Sequence, residues 1–120
     1  YKKYIGSKSF SDLKSKKIIT KFELSDFIIA ICMKRDKDES IPEWEEIAAT
    51  AMAVQNMWLT CTSYNLGCYW STPKYSHLLN SFLKLNKDEK CLGFFYIGSF
   101  EHKNLKRTKR SSYIDKMEWM

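Results

Sequence analysis

The residues of this chain that could do chemistry fall into a few short groups. One is the stretch "GCYWSTP" at 67–73, which sets two aromatic rings and two small hydroxyls between a glycine and a proline. Taken alone, Ser71 and Thr72 suit the start of a turn before Pro73, and a tryptophan such as Trp70 is more often core than ligand platform. A second group is the basic run holding Lys106, Arg107, Lys109 and Arg110, a pattern that ordinarily forms a solvated face. His77 and His102 stand far apart with no nucleophile or carboxylate orienter beside them, so a hydrolytic triad has no support. Glu43, Glu45 and Glu46 fall in the first turn of a predicted helix, where negative charge stabilises the positive end of the helix dipole. Cys32, Cys61, Cys68 and Cys91 form no C-x-x-C pair and have no nearby histidine ligand set, so no metal site is expected. Cys32 and Cys91 lie inside apolar runs and read as small buried hydrophobes, reduced and in a cytoplasmic protein.

The elements that must position these groups are read from hydrophobic spacing. Residues 7–17 carry Phe10 and Leu13 among lysines and predict a short exposed helix. The run "DFIIAICMK" at 26–34 is apolar without interruption until its final lysine, which predicts a strand buried on both faces. A charged connector at 35–40 leads to Ser40 and Glu43, spaced as a capping box that would open a long helix. Trp44, Ile47, Ala48, Ala51, Val54, Gln55, Trp58, Leu59 and Thr62 follow at three- and four-residue steps, and Ala49, Met52, Ala53, Met57 and Cys61 fill the other side. A helix apolar nearly all round is buried nearly all round, which predicts packing against a second subunit as well as against its own sheet. Gln55 and Asn56 are then amides that bond across packed helices and fix their register.

Gly67 is expected to end this helix in a left-handed conformation, with 67–73 a loop or short extended piece. Residues 74–85 place Leu78, Leu79, Phe82 and Leu85 at helical spacing, and "CLGFFYIGSF" at 91–100 is a second apolar strand. Residues 101–120 form a basic, extended tail. The order strand, helix, helix, strand predicts an α+β layered fold in a single domain spanning 1–120. Two strands make a small sheet, which points to a missing piece.

The 120 residues are 44% hydrophobic and 28% charged, an ordinary globular composition, and bury roughly two thirds of their unfolded surface. No window approaches the ~20 apolar residues of a membrane span, no basic–apolar–small signal pattern opens the chain, and no membrane partner is expected. The net charge of +6 is uneven: residues 1–21 carry seven lysines against Asp12, whereas residues 22–100 carry seven basic against ten acidic groups. Cationic ends of this kind can meet phosphates, whether of nucleic acid or of a nucleotide cofactor.

The segments "IPEWEEIAATAMAVQNMWLTCTSYNLGCYWSTP" and "CLGFFYIGSF" resemble the second half of the nitroreductase family of flavin-dependent oxidoreductases. The Q-N-M-x-L segment, the N-L-G-x-Y-W-S-T turn and the G-F-x-Y-I-G strand occur in that family's order and spacing, and "KRSSYIDKMEWM" is similar to the tail of one branch of it. The resemblance covers residues 18–120. It implies a homodimeric α+β fold with the long helix in the dimer core and FMN bound at the subunit interface. It further implies NAD(P)H as electron donor and a small-molecule acceptor, a nitro compound or a quinone. Tyr69, Trp70 and Ser71 would lie against the FMN, with Thr72 nearby, and Arg110 would reach its phosphate, for which a guanidinium fork is well suited. No dedicated catalytic side chain is identified. The family's R-R-S-like amino-terminal motif, which grips the FMN phosphate and ribityl chain, has no match in residues 1–25. Together with a first residue that is not methionine, this predicts an amino-terminally incomplete domain.

Two other readings compete. Cationic ends with interleaved Tyr1, Tyr4, Phe10 and Tyr113 suit a basic nucleic-acid-binding module, although the charge is segregated to the termini and no recognition motif is visible. Alternatively, the chain is a cofactor-free dimerisation remnant that kept the fold and lost the site.

Overall fold

The two apolar runs become neighbouring strands of one antiparallel sheet, and a third strand completes it. The computed structural model describes residues 12–73, 76–101 and 110–119. In chain order the elements are α1 (Asp12–Glu23), β1 (Phe27–Lys34), α2 (Glu43–Ser63), β2 (Gly67–Ser71), α3 (Ser76–Phe82), β3 (Glu89–Gly98) and a 3-10 turn at Ile114–Lys116. The strand order is β1-β3-β2, with β3 antiparallel to both neighbours. The stretch read as a loop or short extended piece is thus partly a strand, which relieves the two-strand sheet expected from the sequence.

Strand position decides burial. Central β3 holds the buried Cys91, Tyr96 and Phe95, the last fully enclosed. Strand β1 corrects the expectation of burial on both faces: it lies at the sheet edge, and Phe27 remains 67% exposed. Cys32, read as buried, is exposed for the same reason, whereas Cys91 is buried.

One face of the sheet receives α2. Ile31, Val54, Cys61 and Phe95 form the core there, with Met57, Leu66, Cys68, Trp70, Leu92 and Ile97 packed around them, and the Trp58 ring meets Phe95 edge-on at 5.8 Å. Alternation along β3 turns Phe94 and Tyr96 to the opposite face, where Phe22 of α1 meets their rings edge-on at 6.4 and 5.9 Å. Helices therefore flank a sheet on both sides. Among the described residues α2 is covered on the side that bears Val54 and Cys61. Trp44, Met52 and Leu59 stay exposed, as do Gln55 and Asn56.

The ends of α2 differ from the sequence reading. Its N-cap is Pro42, with no side-chain cap bond, so the Ser40–Glu43 capping box does not form. Ser40 lies two residues too early, and its hydroxyl donates to Asp36 Oδ2 at 2.5 Å while Glu43 accepts from Lys90 Nζ at 2.6 Å. Buried Glu46 instead ties the helix start to the end of β1. It accepts from Arg35 Nη1 at 2.5 Å and from the Asp36 backbone N–H at 2.6 Å. At the other end Asn65, not Gly67, takes the left-handed conformation, with φ 57°. The N–H of Leu66 donates to Cys61 O at 2.9 Å and that of Asn65 to Thr62 O at 3.1 Å, the paired bonds of a Schellman motif. Gly67 serves a close approach, since a Cβ there would meet the Phe100 ring at 2.9 Å.

Helix α1 extends beyond the predicted 7–17, of which residues 7–11 lie outside the described residues, as do 74–75 before α3 and 102–109 of the tail. Residues 110–119 are exposed. Among the described residues no helix is long and apolar enough to cross a membrane.

Candidate functional site

Strand β2 carries Tyr69, Trp70 and Ser71, and Thr72 follows directly, so four of the five residues singled out from the sequence form one continuous edge of the sheet. The Schellman turn delivers the chain from α2 into this strand, and pairing of Gly67 with Gly98 through Ser71 with Phe94 fixes its register.

What holds the strand's far end is a β-bulge in β3. Ile31 pairs with Gly93 and Cys32 with Cys91, which leaves Leu92 without a partner on β1. The Leu92 carbonyl accepts from Trp70 Nε1 at 3.2 Å and from Thr72 Oγ1 at 3.0 Å. Beside it, Gly93 has φ +139°, and a Cβ there would lie 2.7 Å from both Ser71 O and Trp70 Nε1. The bulge and the glycine together let residues 70–72 pass close over β3. Sequence reasoning missed both Leu92 and Gly93. An isolated glycine inside an apolar strand pattern is the signal that marks such a site.

On the α1 side, Tyr69 stacks on Tyr96 with ring centroids 5.1 Å apart and planes 11° from parallel. Lys21 Nζ lies 5.2 Å from the Tyr69 centroid, within cation–π range. Burial, and secondarily the neighbouring Tyr69, push the Tyr96 phenol above its ordinary value. On the α2 side, burial and then the adjacent Cys61 push the Cys68 thiol up to about 11, so it is not a nucleophile near neutral pH. Arg110 is exposed, and no hydrogen bond or ion pair joins it to another described residue.

These groups suit a flat, anionic cofactor in part. As an edge strand, β2 turns alternate backbone N–H and C=O groups away from β3, the kind of donor and acceptor row that the polar rim of an isoalloxazine needs. Tyr69 adds a half-exposed aromatic surface and Lys21 a positive charge, whereas nothing joins Arg110 to this strand among the described residues. The Trp70 indole and Thr72 hydroxyl are engaged with Leu92 and so shape the strand.

A cavity of 690 Å³ lies elsewhere, lined by Met33, Arg35, Glu43, Asn80 and Lys90 among others and by none of the residues 69–72. Across its lining Glu43 pairs with Lys90 and Arg35 with Glu39, and it reads as a structural network.

The family profile described as the Nitroreductase family matches residues 11–99. The chain belongs to the nitroreductase family. A solved structure of a nitroreductase-like family protein from Bacillus cereus superposes with a TM-score of 0.72 at 27% identity, covering 93% of this chain and 62% of that one. This nitroreductase chain thus spans under two thirds of the length of that relative. Comparison with curated proteins gives no match. The α+β sheet-and-helix architecture expected from the resemblance is the one present.

Proposed function

We propose that the protein is an FMN-dependent oxidoreductase that passes electrons from NAD(P)H to a nitro compound, quinone or similar small acceptor, and that it works as a homodimer. The observation that carries this reading is the nitroreductase family match over residues 11–99, which includes the whole of β2. When bound, FMN supplies the redox chemistry, and the protein's part is to bind, orient and shield. In this reading the backbone of Tyr69, Trp70 and Ser71 borders the ring system, Thr72 and Trp70 hold that backbone against the bulge, and Arg110 reaches the phosphate. The uncovered side of α2, with Met52 64% and Leu59 59% exposed, is the surface a second copy would cover.

The test is a visible spectrum of the purified protein, with any heat-released chromophore identified by chromatography. Stoichiometric FMN is expected. A colourless protein that also fails to take up added FMN would overturn the reading. Trp70→Ala should lower flavin occupancy, because it removes the indole that anchors residues 70–72 to Leu92. Occupancy equal to the parent protein in a folded variant would count against the assignment of this strand.

A further inference from the structure

We propose that Cys32 and Cys91 form a reversible thiol–disulfide pair, a modification site that ties the edge strand β1 to the central strand β3 beside the bulge. The two residues are directly opposed in the antiparallel ladder. Opposed residues have Cα atoms about 4.5–5.5 Å apart, within the range of about 4.4–6.8 Å that a disulfide spans. The two thiols are near enough for Cys91 to act electrostatically on Cys32, and the Cys91 thiol donates to Gly93 O at 3.6 Å.

Accessibility sets the order of events. Cys32 is exposed and Cys91 buried, so a dissolved oxidant meets Cys32 first. The oxidant class required is a peroxide. Hydrogen peroxide transfers one oxygen to the Cys32 sulfur, its O–O bond is reduced, and one water leaves. The Cys91 sulfur then attacks the resulting sulfenic sulfur. The S–S bond forms, the S–O bond breaks, and the oxygen departs as a second water carrying the Cys91 proton. Partial desolvation by the protein around this exposed residue, and then the neighbouring Cys91, raise the Cys32 thiol above its ordinary pKa, which makes this a slowly formed crosslink rather than a fast peroxide sensor.

The other two cysteines provide an internal comparison. Cys61 and Cys68 also lie together in the core cluster, but one is buried and the other half-buried, so neither offers a fully open sulfur for the first step. The crosslink at Cys91 adjoins Leu92, whose carbonyl holds Trp70 and Thr72. Oxidation therefore fixes the bulge from the β1 side whether or not β2 borders a flavin.

The experiment treats the reduced full chain with hydrogen peroxide, alkylates it and maps the peptides without reductant. The expected result is one crosslink, joining the Cys32 and Cys91 peptides and lighter by two hydrogens. The free-thiol titre should fall from the four cysteines of the chain to half that number, and dithiothreitol should restore it. In Cys91→Ser, dimedone should trap a sulfenic acid on Cys32; in Cys32→Ser, no crosslink should form. Mapping of the unsubstituted protein decides the matter even if a variant fails to fold. Cys32 driven to sulfinic acid with Cys91 still free would overturn the proposal. So would unreacted thiols, or a first crosslink between Cys61 and Cys68.

Discussion

At the scale of single residues, Gly93 carries the most consequence for its size. Its φ of +139° and the 2.7 Å spacing between a built Cβ and the Ser71 carbonyl leave two independent reasons against any side chain. One is backbone strain and the other is a backbone clash that no rotamer relieves. Gly93→Ala should therefore cost roughly 2–3 kcal/mol of stability in urea unfolding, and it should release Trp70 from Leu92, visible as a shift in tryptophan emission. A loss below about 0.5 kcal/mol, the range of ordinary surface substitutions, would show that β2 can move away freely.

At the scale of elements, the junction between β1 and α2 is held by charge instead of the capping box the sequence suggested. Glu46 is buried and bonded to both Arg35 and the Asp36 backbone. Glu46→Ala removes the acceptor shared by Arg35 and the Asp36 backbone, while Arg35 keeps Glu39 and the Ile41 carbonyl. The urea midpoint should therefore fall, and an unchanged midpoint would take Glu46 out of the account. Two further carboxylates, half-buried Asp36 and exposed Glu43, add a pH dependence. Ser40, first through its hydroxyl and then its backbone N–H, holds Asp36 below its ordinary 3.8, and the hydrogen bond from Lys90 holds Glu43 below its ordinary 4.5. Groups depressed in the folded state contribute stability above their ordinary values and lose it as pH falls through the folded ones. The urea midpoint should thus drop as pH falls below about 4.5, with a smaller drop in Ser40→Ala, where Asp36 loses its principal donor. An identical pH profile in the variant would remove Ser40 from the account.

At the scale of the whole molecule, the uncovered side of α2 poses the question of partners. Met52, Gln55, Asn56 and Leu59 share one side of the helix at three- and four-residue steps, and all are exposed in the single chain. A stripe of this kind on a helix that already buries its other side suits a second copy of the same helix. Light scattering should return twice the 14.2 kDa chain mass. Leu59→Glu should shift the protein toward monomer, because a carboxylate would be desolvated in the seam. A monomeric parent protein at working concentration would sink the homodimer. In a dimer, the Gln55 and Asn56 amides would find partners across the seam, the role their mid-helix position suggests.

What the sequence determined by itself was local. The period of apolar residues at 43–63 and the unbroken runs at 26–34 and 91–100 depend only on neighbours along the chain, so α2, β1 and β3 were legible from them. The group at 69–72 stood out only through the family resemblance, and as a loop or short extended piece, because five residues carry too little period to mark a strand. Tertiary structure decided everything that depends on who lies beside whom. Strand order put β1 at an edge and exposed Phe27 and Cys32. Pairing placed Cys32 opposite Cys91, 59 positions apart in the chain, and left Leu92 in a bulge whose carbonyl gathers Trp70 and Thr72. Packing moved the helix start past Ser40 and gave the left-handed turn to Asn65. Burial and hydrogen bonding are properties of spatial neighbours, and in this sheet the decisive neighbours come from distant parts of the chain.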